Sequence, residues 1–415
     1  MKSLKYITLF FLSCSSLFAQ PGSVYSRFGL GDLAASYSAR YRGLGDAGSA
    51  ILDANYLSPR NPASWSSLEI TRIEIGANYQ GVGISTNNES AFYSTLKFSG
   101  FSIGFPLQRD YGLTLAAGVL PYSRVNYETA VAADPKAAET DPANYNAAFK
   151  GQGGITKGFI GLSYSMPRIA NFGLSMNYLM GNIDFNSSLD FVYSRYSDFD
   201  YNTNYTFNGI SATIGVISTD LAKVFDIKSV SDLRVSLVYD LGGNFDGDST
   251  LTLSSYFAAT DISKGDMKVK IPGQLTIGTS VKLDKRYLIV ADFMHQPWSD
   301  YKLNERTSGA MRDLNRYSVA VEYTNPDLRE RDFLKTIGLR LGFSYEQTQY
   351  KIGGKGIDQM SATAGFSVPI DFDNTLDMAF LVGKRGTKDD GLMQEYIYGM
   401  NFSLSLGEPW FRRGR

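Results

Sequence analysis

Two glycine-rich motifs and a single histidine are the features of this sequence that could carry chemistry. Residues 43–48 read G-L-G-D-A-G, which fits the G-x-G-x-x-G dinucleotide fingerprint letter for letter. That fingerprint works only between a strand and a helix of a βαβ unit, where the helix amides hold the pyrophosphate. The sequence around residues 43–48 predicts no such unit, so we interpret the motif as a set of glycine-rich turns.

Ser102 lies in the second motif, because residues 100–104 read G-F-S-I-G and fit the G-x-S-x-G elbow of hydrolases. The elbow needs a strand-to-helix turn and a histidine that activates the serine. Ser102 instead lies in an extended alternating run, and the single histidine, His295, shares its parity with the apolar Ile289 and Phe293. Glycines inside a curved strand explain the pattern better. A hydrolase that depends on Ser102 stays open only as a third function, and we predict that the protein is not an enzyme.

Metal and nucleic-acid sites find little support in the composition. Residues 244–248 read N-F-D-G-D and could hold Ca²⁺ weakly, although a solvated outer loop is the better interpretation. A single histidine excludes chemistry that needs clustered imidazoles. The 40 Lys and Arg residues against 41 Asp and Glu residues leave no basic excess for nucleic acid. We expect no cofactor, no metal and no nucleic-acid partner.

Residues 1–19 have the three parts of a secretory signal peptide. Lys2 and Lys5 give a positive start, residues 6–12 give a short apolar core, and Ala19 suits cleavage. A lipoprotein cut before Cys14 is the rival interpretation. Cleavage after Ala19 would remove the only cysteine, so disulfides and thiolate metal sites would be impossible. No later stretch has the roughly 18 uncharged apolar residues of a transmembrane helix, so an exported chain would cross a membrane only with strands.

Alternating segments dominate the rest of the chain. In residues 336–346 every odd-numbered side chain is apolar and the even-numbered set is polar or glycine, and the same period recurs at 72–79, 232–241 and 395–406. Segments of about ten residues with this period suit a transmembrane barrel, with the apolar set facing lipid. A soluble sandwich could also alternate. The strand lengths, the interfacial aromatic residues and the alternating loop lengths favour the membrane barrel.

The alternating runs give fourteen candidate strands. They lie at 68–80, 91–106, 111–122, 153–166, 171–192, 203–219, 231–258, 266–283, 287–303, 314–325, 335–348, 358–370, 374–386 and 395–406. An even number places both ends of the wall on the periplasmic side, with short periplasmic turns and longer outer loops. The sequence therefore predicts an all-β fold, a 14-stranded antiparallel transmembrane β-barrel over residues 68–406, in the cell outer membrane.

Three segments lie outside the predicted wall. Residues 20–67 are rich in glycine but carry many aromatic residues, so we expect a hatch, that is, a plug folded inside the lumen, and not a disordered tail. The outer loop 123–152 is rich in alanine and interrupted by Pro135 and Pro142, so we predict two short helices there. Residues 407–415 form a short basic tail.

The polar parity of the strands also places charged side chains inside the barrel. We expect most of them to form structural ladders across the lumen, while a minority could contact a ligand. The candidates are Arg72, Glu74, Arg234, Asp240, Asp292, Arg340 and Glu346.

Several scattered motifs resemble the FadL family of outer-membrane transporters for hydrophobic compounds. They are Asn61-Pro62-Ala63 before the first strand, Ile271-Pro272-Gly273-Gln274 at the head of a later strand, Ala291-Asp292-Phe293 followed by Trp298-Ser299-Asp300-Tyr301, and residues 339–343. The ending, with Gly383-Lys384-Arg385-Gly386 and Trp410-Phe411-Arg412-Arg413, resembles a branch of such barrels from Bacteroidota. Length, strand count and strand order agree over nearly the whole chain after residue 19.

The resemblance implies a passive route for long-chain fatty acids or aromatic hydrocarbons. The hatch would gate it, with Asn61, Pro62 and Ala63 as the gating turn, and the ligand would leave through a gap made by the inward kink of a wall strand. The implied partners are a hydrophobic or detergent-like ligand and the lipid of the outer membrane. The alternative is a FadL-like barrel that serves as a subunit, plug or substrate carrier of a larger complex for protein secretion or assembly, with a protein partner at the outer loops.

Overall fold

The computed structural model of the chain describes residues 22–134, 144–192, 197–255, 259–325, 336–371 and 373–410. The predicted signal peptide and part of the predicted basic tail lie outside these residues. Most of the described chain belongs to one antiparallel sheet. Within the described ranges, no helix is long and apolar enough to cross a membrane.

The strands of this sheet are numbered in chain order. They are β1 (Asp32–Leu33), β2 (Thr71–Ser85), β3 (Ser90–Gln108), β4 (Leu113–Val131), β5 (Tyr145–Met166), β6 (Ala170–Phe191), β7 (Phe199–Ser218), β8 (Val230–Asp240), β9 (Gly243–Ser255), β10 (Ala259–Ile271), β11 (Gln274–Leu283), β12 (Tyr287–Gln296), β13 (Lys302–Leu303), β14 (Arg306–Thr307), β15 (Leu314–Tyr323), β16 (Gly338–Ile352), β17 (Lys355–Pro369), β18 (Thr375–Arg385) and β19 (Gln394–Glu408). Two short α-helices are α1 (Ala39–Gly43) and α2 (Leu221–Val224). Short 3-10 helices lie at Val24–Arg27, Pro62–Ser67, Arg109–Tyr111, Trp298–Asp300 and Asp389–Gly391.

The sheet closes on itself, because β19 pairs with β2 along its whole length. β8 and β9 are two parts of one wall strand, since both pair with β7. β10 and β11 are two parts of the next wall strand, and they pair with β9 and β8 respectively. With these two interrupted strands counted once each, the wall has 14 strands, and the predicted 14-stranded antiparallel β-barrel is confirmed.

The apolar and polar faces lie on the predicted sides of the wall. On β16, Leu341 is 61% exposed on the outer surface, while its neighbour Arg340 is 2% exposed inside the barrel. On β19, Tyr396 and Tyr398 face outward and Glu395 is buried. Because lipid offers no hydrogen bonds, a spanning sheet needs both an apolar outer face and a backbone that is paired all the way round.

Beyond this lipid-facing belt, the two faces of the longest strands exchange their character. On β6 the outward side chains are apolar up to Met180 and polar from Asn182 onward, whereas Leu179 and Ile183 point inward and are buried. β7 changes at the same level, since Asn208 is paired with Met180. The outer ends of β4, β5, β6, β7, β9 and β10 therefore form a sheet with a polar outer face and an apolar inner face. We call this part of the wall the outer sheet.

A hydrophobic core fills the space inside the outer sheet. Its buried members include Leu30, Val125, Tyr127, Ile155, Leu179, Ile183, Phe207, Phe245, Met267, Val269, Trp298 and Tyr301. Trp298 and Tyr301 come from the connection between β12 and β15, and Leu30 comes from the chain before the first wall strand. Apolar burial of this kind is typical of soluble domains and stabilises the outer part of the barrel.

The exchange of faces explains why the predicted outer loop is wrong. Residues 123–152 were expected to form a loop with two helices, but β4 runs to Val131 and β5 begins at Tyr145. Residues 135–143 lie outside the described residues. The lipid-facing pattern ends at the outer sheet although the strands continue, so a search for that pattern stops too early.

Residues 22–70 precede the first wall strand and contact inward-facing side chains of the wall. We call them the N-terminal segment. Most of its residues are buried, and Ser38, Ala39 and Leu44 have no exposed surface. The segment begins near the outer ends of β18 and β19 and runs to the opposite end of the barrel, where β2 starts. This placement fits the expected hatch, and its gating role stays a prediction.

Candidate functional site

Side chains of the N-terminal segment and of the wall meet in a buried charge cluster. Arg40 of α1 donates to Glu322 of β15 through two bonds, Nε to Oε1 at 3.1 Å and Nη2 to Oε2 at 2.8 Å. Its Nη1 lies 2.7 Å from Asp53. Arg340 of β16 lies 3.2 Å from Glu322 and 2.9 Å from Asp377 of β18. These five residues are the central charge cluster. Because buried charges are tolerated only when paired, the cluster fixes α1 to three wall strands.

A second cluster holds the start of the N-terminal segment at the outer ends of β18 and β19. Arg385 lies 2.9 Å from Asp32 and 3.4 Å from Glu395. Glu395 also accepts from Ser23 Oγ at 2.8 Å and from the Val24 amide at 2.9 Å. These residues are the outer charge cluster. The Glu395 carboxylate has no exposed surface, so it depends on donors from both the wall and the segment.

Two backbone amides at the end of the glycine-rich motif bind a wall carboxylate. Gly48 N and Ser49 N each donate to Asp292 Oδ2 on β12, at 3.0 Å. Gly48 has a φ of +114°, which favours glycine. Gly43 ends α1 and residues 44–46 form turns, so the motif opens no helix and fits the glycine-rich turns that the sequence analysis expects. The amides next to these turns hold a carboxylate of the chain itself.

The Asn61-Pro62-Ala63 turn lies at the end of the lumen where β2 begins. Asn61 caps the 3-10 helix that begins at Pro62, since its Oδ1 accepts the Ala63 amide at 2.9 Å. The turn rests on two glycines that are paired with each other, Gly173 of β6 and Gly215 of β7. A Cβ on Gly173 would clash with the Pro62 backbone, and one on Gly215 would clash with the Asn61 side chain. Wall and turn can therefore approach this closely only because both wall residues lack a side chain.

The charges predicted inside the barrel divide into two groups. The first group binds the N-terminal segment or its partners. Asp292 accepts two amides of the segment, and Arg340 pairs with Glu322, which also binds Arg40 of the segment. Arg72 donates to the Ala54 carbonyl at 3.2 Å, and Glu74 accepts the Leu57 amide at 2.9 Å. The other three contact the wall itself: Arg234 lies 2.8 Å from Asp232, Asp240 accepts from Thr213 at 3.2 Å, and Glu346 pairs with Arg316.

Sequence reasoning missed the partners that complete these clusters. Four of them follow the polar parity of predicted strands, and the same rule could have found them: Glu322, Asp377, Arg385 and Glu395. Asp32 and Arg40 lie in a segment without alternation, and no sequence signal marks them. The wall residues of both charge clusters could therefore be predicted, and the residues of the N-terminal segment could not.

Asp46 lies among three arginine side chains in the same lumen. Burial alone would raise the pKa of its carboxyl, but the guanidinium groups of Arg42, Arg60 and Arg316 hold that pKa below its ordinary value. Asp46 Oδ1 also accepts the Ser36 amide at 3.1 Å. The ionised carboxylate thus stabilises the glycine-rich turns between the two charge clusters.

The candidate catalytic and metal-binding residues are not brought together. Ser102 is buried inside β3, where its hydroxyl bonds with that of Tyr37. His295 lies on the outward face of β12, with Nδ1 2.8 Å from Asn315 Oδ1. Residues 244–248 belong to β9. Among the described residues, no group of three or more His, Cys, Asp or Glu side chains could hold a metal ion.

Two neighbouring wall strands separate in the outer half of the barrel. β3 pairs with β4 only over residues 101–108, although both strands continue outward. There, β4 pairs instead with β1 of the N-terminal segment, at residues 123–124. We call the unpaired stretch between residues 90–99 of β3 and residues 120–131 of β4 the seam. It is a lateral opening in the described part of the wall.

Two cations line the seam. Lys97 of β3 and Arg124 of β4 border both a polar cavity inside the lumen and a groove on the outer side. Arg124 reaches across the seam, and its Nη2 donates to the Phe98 carbonyl at 2.9 Å. The groove has a volume of about 820 Å³ and continues past Val119 and Tyr178. At the seam, Lys97 and Arg124 therefore separate the lumenal cavity from the groove on the outer side.

The closed wall and the buried N-terminal segment define an outer-membrane β-barrel with the fold of the FadL-type channels. Solved structures with this fold include the CymD monoaromatic hydrocarbon channel, at 14% identity and a TM-score of 0.60, covering 93% of this chain and 100% of that chain. The Pseudomonas putida toluene transporter TodX follows at 16% identity and a TM-score of 0.59, covering 92% and 100%. A Pseudomonas aeruginosa FadL homologue has 12% identity and a TM-score of 0.61, covering 91% and 99%.

At these identities the likeness concerns the fold alone. A family model named BamG matches residues 1–415, and the chain belongs to the BamG family. No curated protein matches the sequence.

Proposed function

We propose that this protein works as a component of a larger outer-membrane complex, through contacts with other proteins, and not as a free-standing channel. The observation that carries the proposal is the occupied lumen, in which the central and outer charge clusters bind the N-terminal segment. Membership of the BamG family favours the same function. It is the alternative that the sequence leaves open beside passive transport.

A hydrophobic compound would meet a lumen lined by both charged and apolar side chains, the latter including Val82, Leu381 and Ile397. The cavity beside the N-terminal segment is lined by polar side chains that include Asn78, Thr95, Glu346 and Arg385. Further out, the apolar side chains inside the outer sheet are already packed against one another. Passage along the axis would require the charge clusters to separate, and breaking a buried ion pair costs about 3–5 kcal/mol.

The outer sheet offers a surface for protein partners beyond the membrane. β5 and β6 have 22 residues each, whereas about 9–11 residues suffice to cross the hydrocarbon core. At about 3.4 Å per residue, and allowing for tilt, the excess projects roughly 25 Å outward. Tyr145 and Tyr201 are exposed near its tip and make edge-to-face contacts with Phe191 and Phe199 respectively. Exposed aromatic residues are typical of the centres of protein interfaces.

Native mass spectrometry of the protein purified gently from outer membranes tests the proposal. We expect a stoichiometric protein partner and no bound small molecule. Tyr145→Ser combined with Tyr201→Ser should lower the partner's yield. Tyr111→Ser combined with Tyr287→Ser, on the opposite side of the membrane, should not. A monomer that carries a stoichiometric fatty acid or hydrocarbon would refute the proposal.

The seam favours a second candidate function, passage of a hydrophobic compound between the lumen and the membrane. The solved structures with this fold include channels for such compounds, and Lys97 with Arg124 could hold an anionic head group there. Uptake of a labelled long-chain fatty acid into liposomes tests this function. Replacing the Asn61-Pro62-Ala63 turn should slow uptake without unfolding the barrel, and unchanged uptake would count against a gating role.

A further inference from the structure

The β3 side of the seam is an unpaired strand edge. The hairpin between β2 and β3 is closed by a bond from Thr86 N to Glu89 O, and the residue pairs then continue without a shift to Ala77 and Phe98. In an antiparallel ladder, only every second residue directs its amide groups to a given neighbour. Counted from the turn, the residues that direct their N–H and C=O groups to the seam are Phe92, Ser94, Leu96 and Phe98. The bond from Arg124 to the Phe98 carbonyl agrees with this count.

This edge lies at the level of the lipid-facing belt. Phe92, Leu96 and Phe98 are exposed on the outer surface, and the Phe92 ring contacts Tyr398 of β19. No strand in the described part of the chain pairs with the edge. Unpaired backbone groups at this depth are costly unless protein or water satisfies them. The seam therefore needs an occupant or a water-filled slot.

The opposite side of the seam already has its partner. The Tyr122 carbonyl accepts from the Ala34 amide, and the Asn126 carbonyl accepts from the Gly22 amide, each at 2.9 Å. These bonds occupy the β4 edge with the chain's own N-terminal segment. The missing partner is therefore a strand for β3.

We propose that the seam accepts an extended polypeptide strand of another protein, which pairs with residues 92–98 of β3 as an added wall strand. The inference rests on the proposed function, because a component of a complex must have a docking site. Side chains of the added strand must alternate, with the apolar set toward lipid and the polar set toward the lumen. This is the pattern of an edge strand from a second membrane barrel.

Charge narrows the identity of the strand further. Lys97 faces the lumen side of the seam. Arg124 crosses the seam and donates to the Phe98 carbonyl, which an amide of the added strand would bind in place of Arg124. In the described residues, no salt bridge joins either cation to an acidic side chain. A carboxylate on the lumen-facing side of the added strand would satisfy both cations through charge-assisted bonds.

A synthetic nine-residue peptide tests the inference on the full-length protein in detergent micelles. The peptide alternates valine and threonine, with aspartate at the central polar position, and hydrogen exchange reports the amides that it protects. We expect exchange to slow about 10-fold at Ser94 and Leu96, with no change at Val382, whose strand is paired on both sides. The same peptide with asparagine in place of aspartate should protect less, and Lys97→Met should weaken the original peptide.

Backbone variants of one residue separate edge pairing from side-chain contact. Ser94→Pro removes the N–H that faces the seam and should abolish protection at Leu96, whereas Ser94→Ala keeps that N–H and should behave as the unaltered protein. Thr95→Pro removes an N–H that pairs with β2 and should disturb the barrel itself, which checks the register.

Equal exchange with and without the peptide, whether fast or slow, would overturn the inference, because water, detergent or the chain itself then satisfies the edge. Native mass spectrometry keeps the two proposals apart. A Ser94→Pro barrel that retains its protein partner would refute strand addition and leave the complex in place. A barrel without any partner would refute the proposed function, even if the peptide protects the edge.

Discussion

Replacing Arg40 with methionine should loosen the N-terminal segment without unfolding the barrel. Methionine keeps an unbranched, apolar side chain but removes both hydrogen bonds to Glu322 and the ion pair with Asp53. Glu322 would stay buried, with Arg340 as its remaining cationic partner. Breaking a buried pair costs about 3–5 kcal/mol, and the second arginine places the cost near 3 kcal/mol. The wall strands stay paired through their backbones. The lost free energy therefore weakens the binding of the N-terminal segment to the wall and not the barrel itself.

Ser38 can report this loss. It has no exposed surface, and its hydroxyl has no hydrogen-bond partner in the described residues. Ser38→Cys should therefore disturb little, and the processed chain is predicted to contain no other cysteine. A cost of about 3 kcal/mol increases the fraction of molecules with a detached N-terminal segment about 150-fold, since each 1.4 kcal/mol changes an equilibrium constant about tenfold. We expect maleimide to label the cysteine faster by about that factor when Arg40→Met is added.

Two further variants make the result specific. Lys223→Met removes an exposed charge 3.7 Å from Asp220 and should leave labelling unchanged, because exposed pairs contribute little. Glu322→Gln added to Arg40→Met removes the poorly paired carboxylate and should slow labelling again. Equal labelling of Ser38→Cys with and without Arg40→Met, in a folded barrel, would show that this ion pair does not hold the segment.

Other contacts of the N-terminal segment give three more expected outcomes. Gly215→Ala should lower the melting temperature measured by circular dichroism, because the new methyl group clashes with the turn that Gly215 supports. Gly158→Ala should not, because its methyl group would meet only the Tyr178 carbonyl oxygen, at 4.0 Å; equal melting temperatures of the two variants would contradict this. Asp292→Leu leaves two buried amides unpaired, at about 1–3 kcal/mol each, and should speed their hydrogen exchange; unchanged exchange would show that the carboxylate is dispensable. Deleting residues 20–60 should raise the conductance of the barrel in planar bilayers, and unchanged conductance would mean that the segment is not a plug.

The wall could be predicted because one physical rule governs it from end to end. Leu339, Leu341 and Phe343 had to face lipid, and Arg340 between them had to face the lumen. This alternation no longer predicts the outward side chains where the wall leaves the lipid. Beyond Met180 the outer face meets water and the apolar set turns inward. On β4 and β5 the predicted strands end at residues 122 and 153, whereas the real ones extend to Val131 and Tyr145.

The interior could not be predicted in the same way, because the N-terminal segment has no period to read. Its positions are set by contacts distant in sequence, such as Arg40 with Glu322 and Gly48 with Asp292. We expected the lumen charges to form ladders or to contact a ligand. That expectation missed a third role, in which wall charges bind the chain's own N-terminal segment. A row of charges inside a barrel therefore does not by itself indicate a transport route.

Closure of the wall is the stronger guide to function. A membrane barrel must pair every strand edge, since lipid cannot satisfy backbone groups. In the described wall, β3 departs from this rule over residues 92–98, within the belt that faces lipid. The neighbouring strand has its edge occupied by the N-terminal segment, so the opening is asymmetric. A route for small hydrophobic molecules needs only a gap, whereas an aligned row of unpaired amides beside two cations without salt bridges has the geometry of a strand acceptor. The exchange of Ser94 and Leu96 amides in the presence of an alternating peptide therefore distinguishes the two uses of the seam.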